Sequence, residues 1–191
     1  MNMTLSSNVN LEIYLCYTGK IMTVNFSKIK LIPADESHNE FLFQARKETF
    51  AWLVSKVWGK WEESVQRKIS ADEYKGRQPI LILYNNQIVG SYTCTKSTDH
   101  YDFGNFFILP KYQNRGIGSF VLKKVLGETD KTDLPVKLVY WDFNPSGRLY
   151  TRMGFIPIGR QNFEGRQEYW VIAERLPKKT LKLKNEKPKN I

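Results

Sequence analysis

Between residues 101 and 143 the chain reads a β-rich run, YDFGNFFILP, then YQNRGIGSF, then an amphipathic run, IGSFVLKKVLGE, and finally a second β-rich run, LPVKLVYWDF. A strand, a helix and a strand in close succession form a crossover, which lays the two strands parallel in one sheet with the helix packed over them. Ile117, Val121 and Val125 supply the apolar face of that helix, and Lys123 and Lys124 lie on its more exposed side. Upstream, QPILILYNNQIVGSYTCTK holds two β-rich runs split by Asn85-Asn86. Asparagine tolerates positive φ, so that pair signals a hairpin turn. Hairpins together with a crossover require a mixed sheet.

The rest of the chain fills in around this unit. Residues 24–32 alternate as a strand and run into a turn. ESHNEFLFQARKETFAWLVSKVW then places Phe43, Phe50, Leu53, Val54 and Val57 at helical spacing. Gly59 punctuates it, and WEESVQRKISADEY reads as a second, shorter helix. Beyond the crossover come a short helix, PSGRLYTRM, and two closing strands, GFIPIGRQ and RQEYWVIAERL. The order is β-α-α-β-β-β-α-β-α-β-β. This predicts one α/β domain: a mixed, twisted sheet of about six to seven strands with helices on both faces. It spans residues 23–176, between an N-terminal extension (1–22, with Met22 an alternative start) and a basic C-terminal tail (177–191).

Composition excludes several classes. No apolar run approaches the roughly 20 residues of a membrane span, and no basic segment precedes LEIYLCY as a signal peptide would require. Cys16 and Cys94 are neither clustered nor near paired histidines, so no disulfide framework and no metal site is expected, and a reducing cytoplasm is the natural location. Of the net charge of +10, half sits in the last fifteen residues, PKKTLKLKNEKPKNI, with six lysines and one glutamate. Such a tail is either a solvated end or a site for anionic partners. The excess on the body suits a protein whose ligand is an anion.

The glycines of QNRGIGSF match neither well-known phosphate motif. The dinucleotide fingerprint needs a third glycine where Val121 stands, and the Walker loop needs a Gly-Lys that is absent. Two readings of the residues remain open, a plain turn and an anion cradle. A cradle is feasible because small residues at a strand-to-helix junction let a ligand approach N–H groups the helix has not yet used.

Gln113-Asn114-Arg115-Gly116-Ile117-Gly118 resembles the [Gln/Arg]-x-x-Gly-x-[Gly/Ala] signature of the GNAT superfamily of acyl-CoA-dependent N-acetyltransferases. FFILPKY before it is similar to that family's strand-plus-proline lead-in. Further on, NPSGRLYTRMGF resembles its second landmark, an Asn, then Leu-Tyr, then Gly-Phe opening a strand. The resemblance implies acetyl-CoA as co-substrate, with its pyrophosphate on the N–H groups of residues 114–119, Ser119 included, and Gln113 and Arg115 beside them. It implies a pantetheine arm laid along Phe107, Ile108 and Leu109, with Asn144 as a side-chain contact. Tyr150 matches the family's tyrosine that protonates the leaving thiolate. The family's strand glutamate is missing. Asp102 stands near the start of that strand as candidate base, with a plain surface aspartate as the other reading, and His100 is the second titratable candidate. Asn144 and Tyr150 are six residues apart against the family's more common seven, which rotates one relative to the other by about 100°.

For the acceptor, Trp58, Trp61 and Glu62, with Trp52 and Glu63 nearby, form an aromatic and acidic group suited to a cationic amine. The alternative is tryptophans packing helices on the sheet. The function implied is acetyl transfer to a primary amine on a small molecule, a peptide or a protein. The alternatives are a non-catalytic acyl-CoA binder and a nucleic-acid binder using the tail. No membrane or nucleic-acid partner is expected, and a homodimer is left open.

Overall fold

A computed structural model describes residues 11–15, 21–162 and 169–180. Residues 1–10 and 16–20 of the expected extension, part of the closing hairpin and residues 181–191 of the basic tail lie outside these. Leu11–Leu15 (β1) and Ile21–Asn25 (β2) pair antiparallel as a small separate sheet. Residues 24–32 are not the single strand their alternation predicts. Asn25 Oδ1 accepts from the Ser27 N–H (3.0 Å) and turns the chain into a 3-10 segment at Phe26–Lys28, with Phe26 buried. Only then does Ile29–Pro33 (β3) begin. A local side-chain acceptor has displaced the ladder there.

From this point the order follows the sequence pattern. Asn39–Trp58 (α1) and Glu63–Tyr74 (α2) precede Pro79–Tyr84 (β4), Gln87–Lys96 (β5) and Tyr101–Ile108 (β6). Ile117–Thr129 (α3), Val136–Trp141 (β7), Gly147–Arg152 (α4), Ile156–Asn162 (β8) and Tyr169–Arg175 (β9) complete it. The main sheet has seven strands in the order β3-β4-β5-β6-β7-β9-β8. All pairs are antiparallel except the crossover pair β6–β7. Asn85 and Asn86 sit at φ 52° and 61°, the turn their sequence predicts between β4 and β5.

Helices cover both faces. Ile117, Val121, Leu122, Val125 and Leu126 form the buried stripe of α3 and pack with Phe103, Ile108, Val136 and Leu138 of β6 and β7. Each such side chain contributes roughly 1.5–3 kcal/mol when fully buried. On the other face Leu42 and Ala45 of α1 pack with Leu81 and Phe107, and the Phe50 and Phe107 rings meet edge-on at 6.2 Å. Strand β6 is therefore held from both sides, which matters because its edge toward β7 is free for most of its length.

Asp130, just after α3, accepts two hydrogen bonds from Arg175 of β9 (2.8 and 3.0 Å), while Arg175 Nε donates to the Met153 carbonyl. Burial alone would raise the Asp130 carboxyl, but the Arg175 hydrogen bonds outweigh it and hold the group below the usual carboxylate range. This pair ties the end of the crossover helix to α4 and the last strand.

Candidate active site

Strands β6 and β7 pair only at their beginnings, Tyr101 with Val136 and Asp102 with Lys137. Beyond that they part. A cavity of about 630 Å³ occupies the gap, bounded by residues 103–106 of β6 and 137–141 of β7 and roofed by α1 and α2. The opening is reinforced by a bulge in β6. Ser91 lies opposite Phe107 but Thr93 opposite Gly104, and Asn105 takes φ 48°. The extra residue bends the strand and interrupts its regular pleat.

At its far end β6 leads into the glycine stretch. Gln113 Nε2 donates to the Ile108 carbonyl (2.8 Å) and closes the turn between strand and helix. Asn114 and Gly116 take φ 57° and 78°, and Gly116 is the residue that caps α3. A side chain at Gly116 would be strained, which is why glycine stands there. Gly118 serves another purpose: a Cβ there would lie 3.6 Å from Phe106, 3.7 Å from Leu149 and 3.8 Å from Ile108. These are ordinary van der Waals separations, so a Cβ would fit but little more would, and the helix start lies against the mouth of the wedge. The first intrahelical bond runs from the Phe120 N–H to the Gly116 carbonyl. The N–H groups of Ile117, Gly118 and Ser119 precede it and point out of the helix end, a ready site for an anion.

Two guanidinium groups stand beside this end. Arg115 lies over the Tyr112 ring at 5.6 Å. Arg152 of α4 donates to Ser119 Oγ at 3.0 Å, and nothing in the sequence alone marked it. Phe107, Ile108 and Leu109 are buried; Phe107 and Ile108 pair in register with Ser91 and Gly90 of β5, and the Leu109 N–H donates to the Val89 carbonyl. Backbone groups of an antiparallel strand point alternately to its two sides, so those of β6 turned toward β7 have no strand to pair with past Asp102.

Asn144 lines the cavity, and its Oδ1 accepts from the Ser146 N–H (3.0 Å) at the entry to α4. That turn delivers Tyr150 to the same cavity. Tyr150 is only 7% exposed, with its ring 5.3 Å from that of Tyr140 and 6.0 Å from that of Phe155. Burial pushes its phenol up to about 12, so it stays protonated at any physiological pH.

Asp102 lines the narrow end of the cavity. Its carboxylate accepts from Ser97 Oγ (3.1 Å) and lies 3.2 Å from His100 Nε2. Asp99, bonded to His100 Nδ1 at 2.7 Å, raises the imidazole above its ordinary value, and the Asp102 bond adds to this.

The acceptor candidates divide. Trp58 lines the cavity and meets Trp141 edge-on at 5.7 Å. Trp61 packs against Phe43 at 6.1 Å, and Glu62 pairs with Lys60 at 2.8 Å; neither lines the cavity. Trp52 is half exposed, and Glu63 is engaged by Lys47 and Arg67. The charged groups that do line the cavity are Arg46, Glu73, Arg77, Asp102 and Lys137. Among the described residues no cluster of His, Cys, Asp or Glu could hold a metal ion, and no helix is long and apolar enough to cross a membrane.

A mixed sheet split at its one parallel pair, with an anion-ready helix end at the mouth of the split, is the arrangement that the resemblance in the sequence implies. The sequence model of the acetyltransferase (GNAT) domain matches residues 76–157, from the turn before β4 into β8. No curated protein sequence matches the chain. Among solved structures, the ribosomal-protein-S18-alanine N-acetyltransferase of Escherichia coli is similar at 14% identity and TM-score 0.61, over 85% of this chain and 98% of its own. A spermidine N-acetyltransferase chimera from Vibrio cholerae is similar at 16% identity and TM-score 0.61, over 81% and 98%. A ribosomal L7/L12 α-N-protein acetyltransferase in complex with coenzyme A is similar at 17% identity and TM-score 0.57, over 78% and 94%. Residues 76–157 thus match the acetyltransferase (GNAT) domain model, and the chain shares the fold of these solved N-acetyltransferases.

Proposed function

We propose that the protein is a cytoplasmic N-acetyltransferase that moves an acetyl group from acetyl-CoA to a primary amine. The observation that carries this reading is the continuity of the wedge: free N–H groups at its mouth, an unpaired edge of β6 along its side, and a buried, protonated Tyr150 in its wall. Two of the similar structures are named for amine substrates, an alanine of a ribosomal protein and spermidine.

Acetyl-CoA supplies the activated acetyl thioester. The N–H groups of Ile117, Gly118 and Ser119 would hold its pyrophosphate, with Arg115 and Arg152 adding charge. The free edge of β6 near Phe107 and Ile108 would hold the pantetheine arm, and Asn144 would contact it. Asp102, directly or through water, would take the proton of the attacking amine, because an alkylammonium has no lone pair. Balance then requires that the new N–C bond form as the C–S bond breaks. The Tyr150 hydroxyl would donate to the departing sulfur. Most of the acceleration would come from holding amine and thioester together in a dry cleft.

The test is calorimetric titration with acetyl-CoA of the parent protein and of Gly118→Val, followed by thiol release with a panel of amines. Valine would fill the space among Phe106, Leu149 and Ile108 at the wedge mouth. We expect micromolar-range binding by the parent and at least about ten-fold weaker binding by a variant of unchanged circular dichroism. A parent that binds no acetyl-CoA would sink the reading.

A further inference from the structure

The cavity has a chemical bias that the transferase reading does not by itself explain. Three buried N–H donors among its lining residues have no hydrogen-bond partner: Arg46 Nε from α1, Asn105 Nδ2 at the β6 bulge and Trp141 Nε1 from β7. No lining residue leaves a buried side-chain oxygen acceptor in that state among the described residues. A site with donors to spare asks for a ligand rich in acceptor oxygens.

The charges lean the same way. Glu73 is taken up by both terminal nitrogens of Arg46, at 2.6 and 3.2 Å, and Asp102 is engaged by Ser97 and His100. Glu73 is thus committed to Arg46, and Asp102 already accepts a bond on each oxygen. Arg77, by contrast, has no ion pair within 4.0 Å among the described residues. A Cβ built on Gly104 would lie 3.7 Å from Arg77 Nη1, so the guanidinium reaches over β6 beside Asn105. Lys137 adds a third cation, 3.9 Å from Asp99. A polycationic amine would meet Arg46, Arg77 and Lys137, and the one lining carboxylate outside the Arg46 pair, Asp102, is assigned by the transferase reading to the reacting nitrogen. Much of the remaining wall is apolar, with Phe50, Trp58 and Trp141 supplying aromatic faces.

We propose that the acceptor amine carries its own carboxylate: an apolar or aromatic α-amino acid, its carboxylate on Arg77 and Asn105 and its side chain among Phe50, Trp58 and Trp141. This rests on the acetyltransferase reading and narrows it. A carboxylate on a guanidinium gains charge-assisted, fork-shaped hydrogen bonds, while the amine is left free to turn toward the wedge. The amide donor of Asn105, raised by the bulge, gains its acceptor in the same step.

The experiment uses the full chain saturated with coenzyme A, whose own titration comes first. L-phenylalanine and phenethylamine, which differ by the carboxylate alone, are then titrated into it. We expect the amino acid to bind about ten-fold or more tightly than the amine. Arg77→Gln should bring the two within about two-fold of each other while coenzyme A binding stays unchanged. Arg77 is exposed, so folding should be unaffected. Asn105→Asp, which sets a negative charge against the carboxylate and can attract an ammonium, should weaken the amino acid relative to the amine. Equal binding, tighter binding of the amine, binding of neither, or a preference that survives Arg77→Gln would overturn the proposal and leave the transferase reading standing. Failure of the first titration, with coenzyme A, would instead remove the transferase reading and this inference with it.

Discussion

Replacing Tyr150 by phenylalanine removes one oxygen from a side chain whose surroundings otherwise stay the same. The ring is 7% exposed and packed between Tyr140 and Phe155, so the variant should fold and melt close to the parent. A phenol raised from its ordinary 10 to about 12 by burial costs about 3 kcal/mol more to ionise in place. In the proposed reaction Tyr150 is therefore a neutral donor that must be reprotonated promptly, and its own titration does not enter the pH profile between about 6 and 10. A general acid contributes 10²–10⁴-fold. The low end applies, because a thiolate with a pKa near 8.5 leaves readily unaided. We expect kcat to fall about 100-fold, roughly 3 kcal/mol, with acetyl-CoA affinity changed less than about two-fold. Thiol release under saturating acetyl-CoA measures the first and calorimetry the second. A Tyr150→Phe protein that turns over at the parent rate would refute the assignment. A loss of acetyl-CoA binding with kcat intact would show that the hydroxyl serves the donor and not the leaving group.

Two further outcomes follow from the geometry. Arg152→Ala deletes the guanidinium that bonds Ser119 at the helix end; it should weaken acetyl-CoA binding about five-fold, by an amount that shrinks as salt rises, and an unchanged affinity in titration would remove Arg152 from the phosphate site. Asp130→Asn strips the charge from a pair whose members are 7% and 11% exposed and should cost about 3–5 kcal/mol, read as a drop of roughly 6–20 °C in Tm. Since the folded carboxyl sits below its unfolded value, its contribution is present in full above the unfolded pKa near 4 and is lost as pH falls through the folded one. The gap between parent and variant should therefore close in acid, and a gap that persists below pH 2 would contradict the pairing.

What the sequence determined by itself is local in origin. The turn at Asn85-Asn86, the glycine at the left-handed cap of α3 and the apolar stripes of α1 and α3 each depend on a residue and its near neighbours, where backbone sterics and helical spacing decide. The crossover follows from these, because a strand, a helix and a strand in close succession have one way to pack. The positions of Tyr150 and of the glycine stretch before α3 were readable for the same reason: each is tied to the end of one element.

The proposed acceptor site was not readable, because it is assembled from parts distant in the chain. Arg46, Glu73 and Arg77 converge on Asn105 and Trp141 only when α1 and α2 roof the gap between β6 and β7. The bulge at Asn105 arises from the register of β5 against β6, and no local signal encodes a register. Trp58 and Trp61 show the limit at closest range. They are near neighbours in sequence, yet Gly59 at φ 81° turns the chain after α1. One tryptophan is thereby left in the cavity wall, and the other is sent to pack on Phe43. Which side of such a turn faces a ligand is a property of the packed molecule, since only packing decides what each indole is set against.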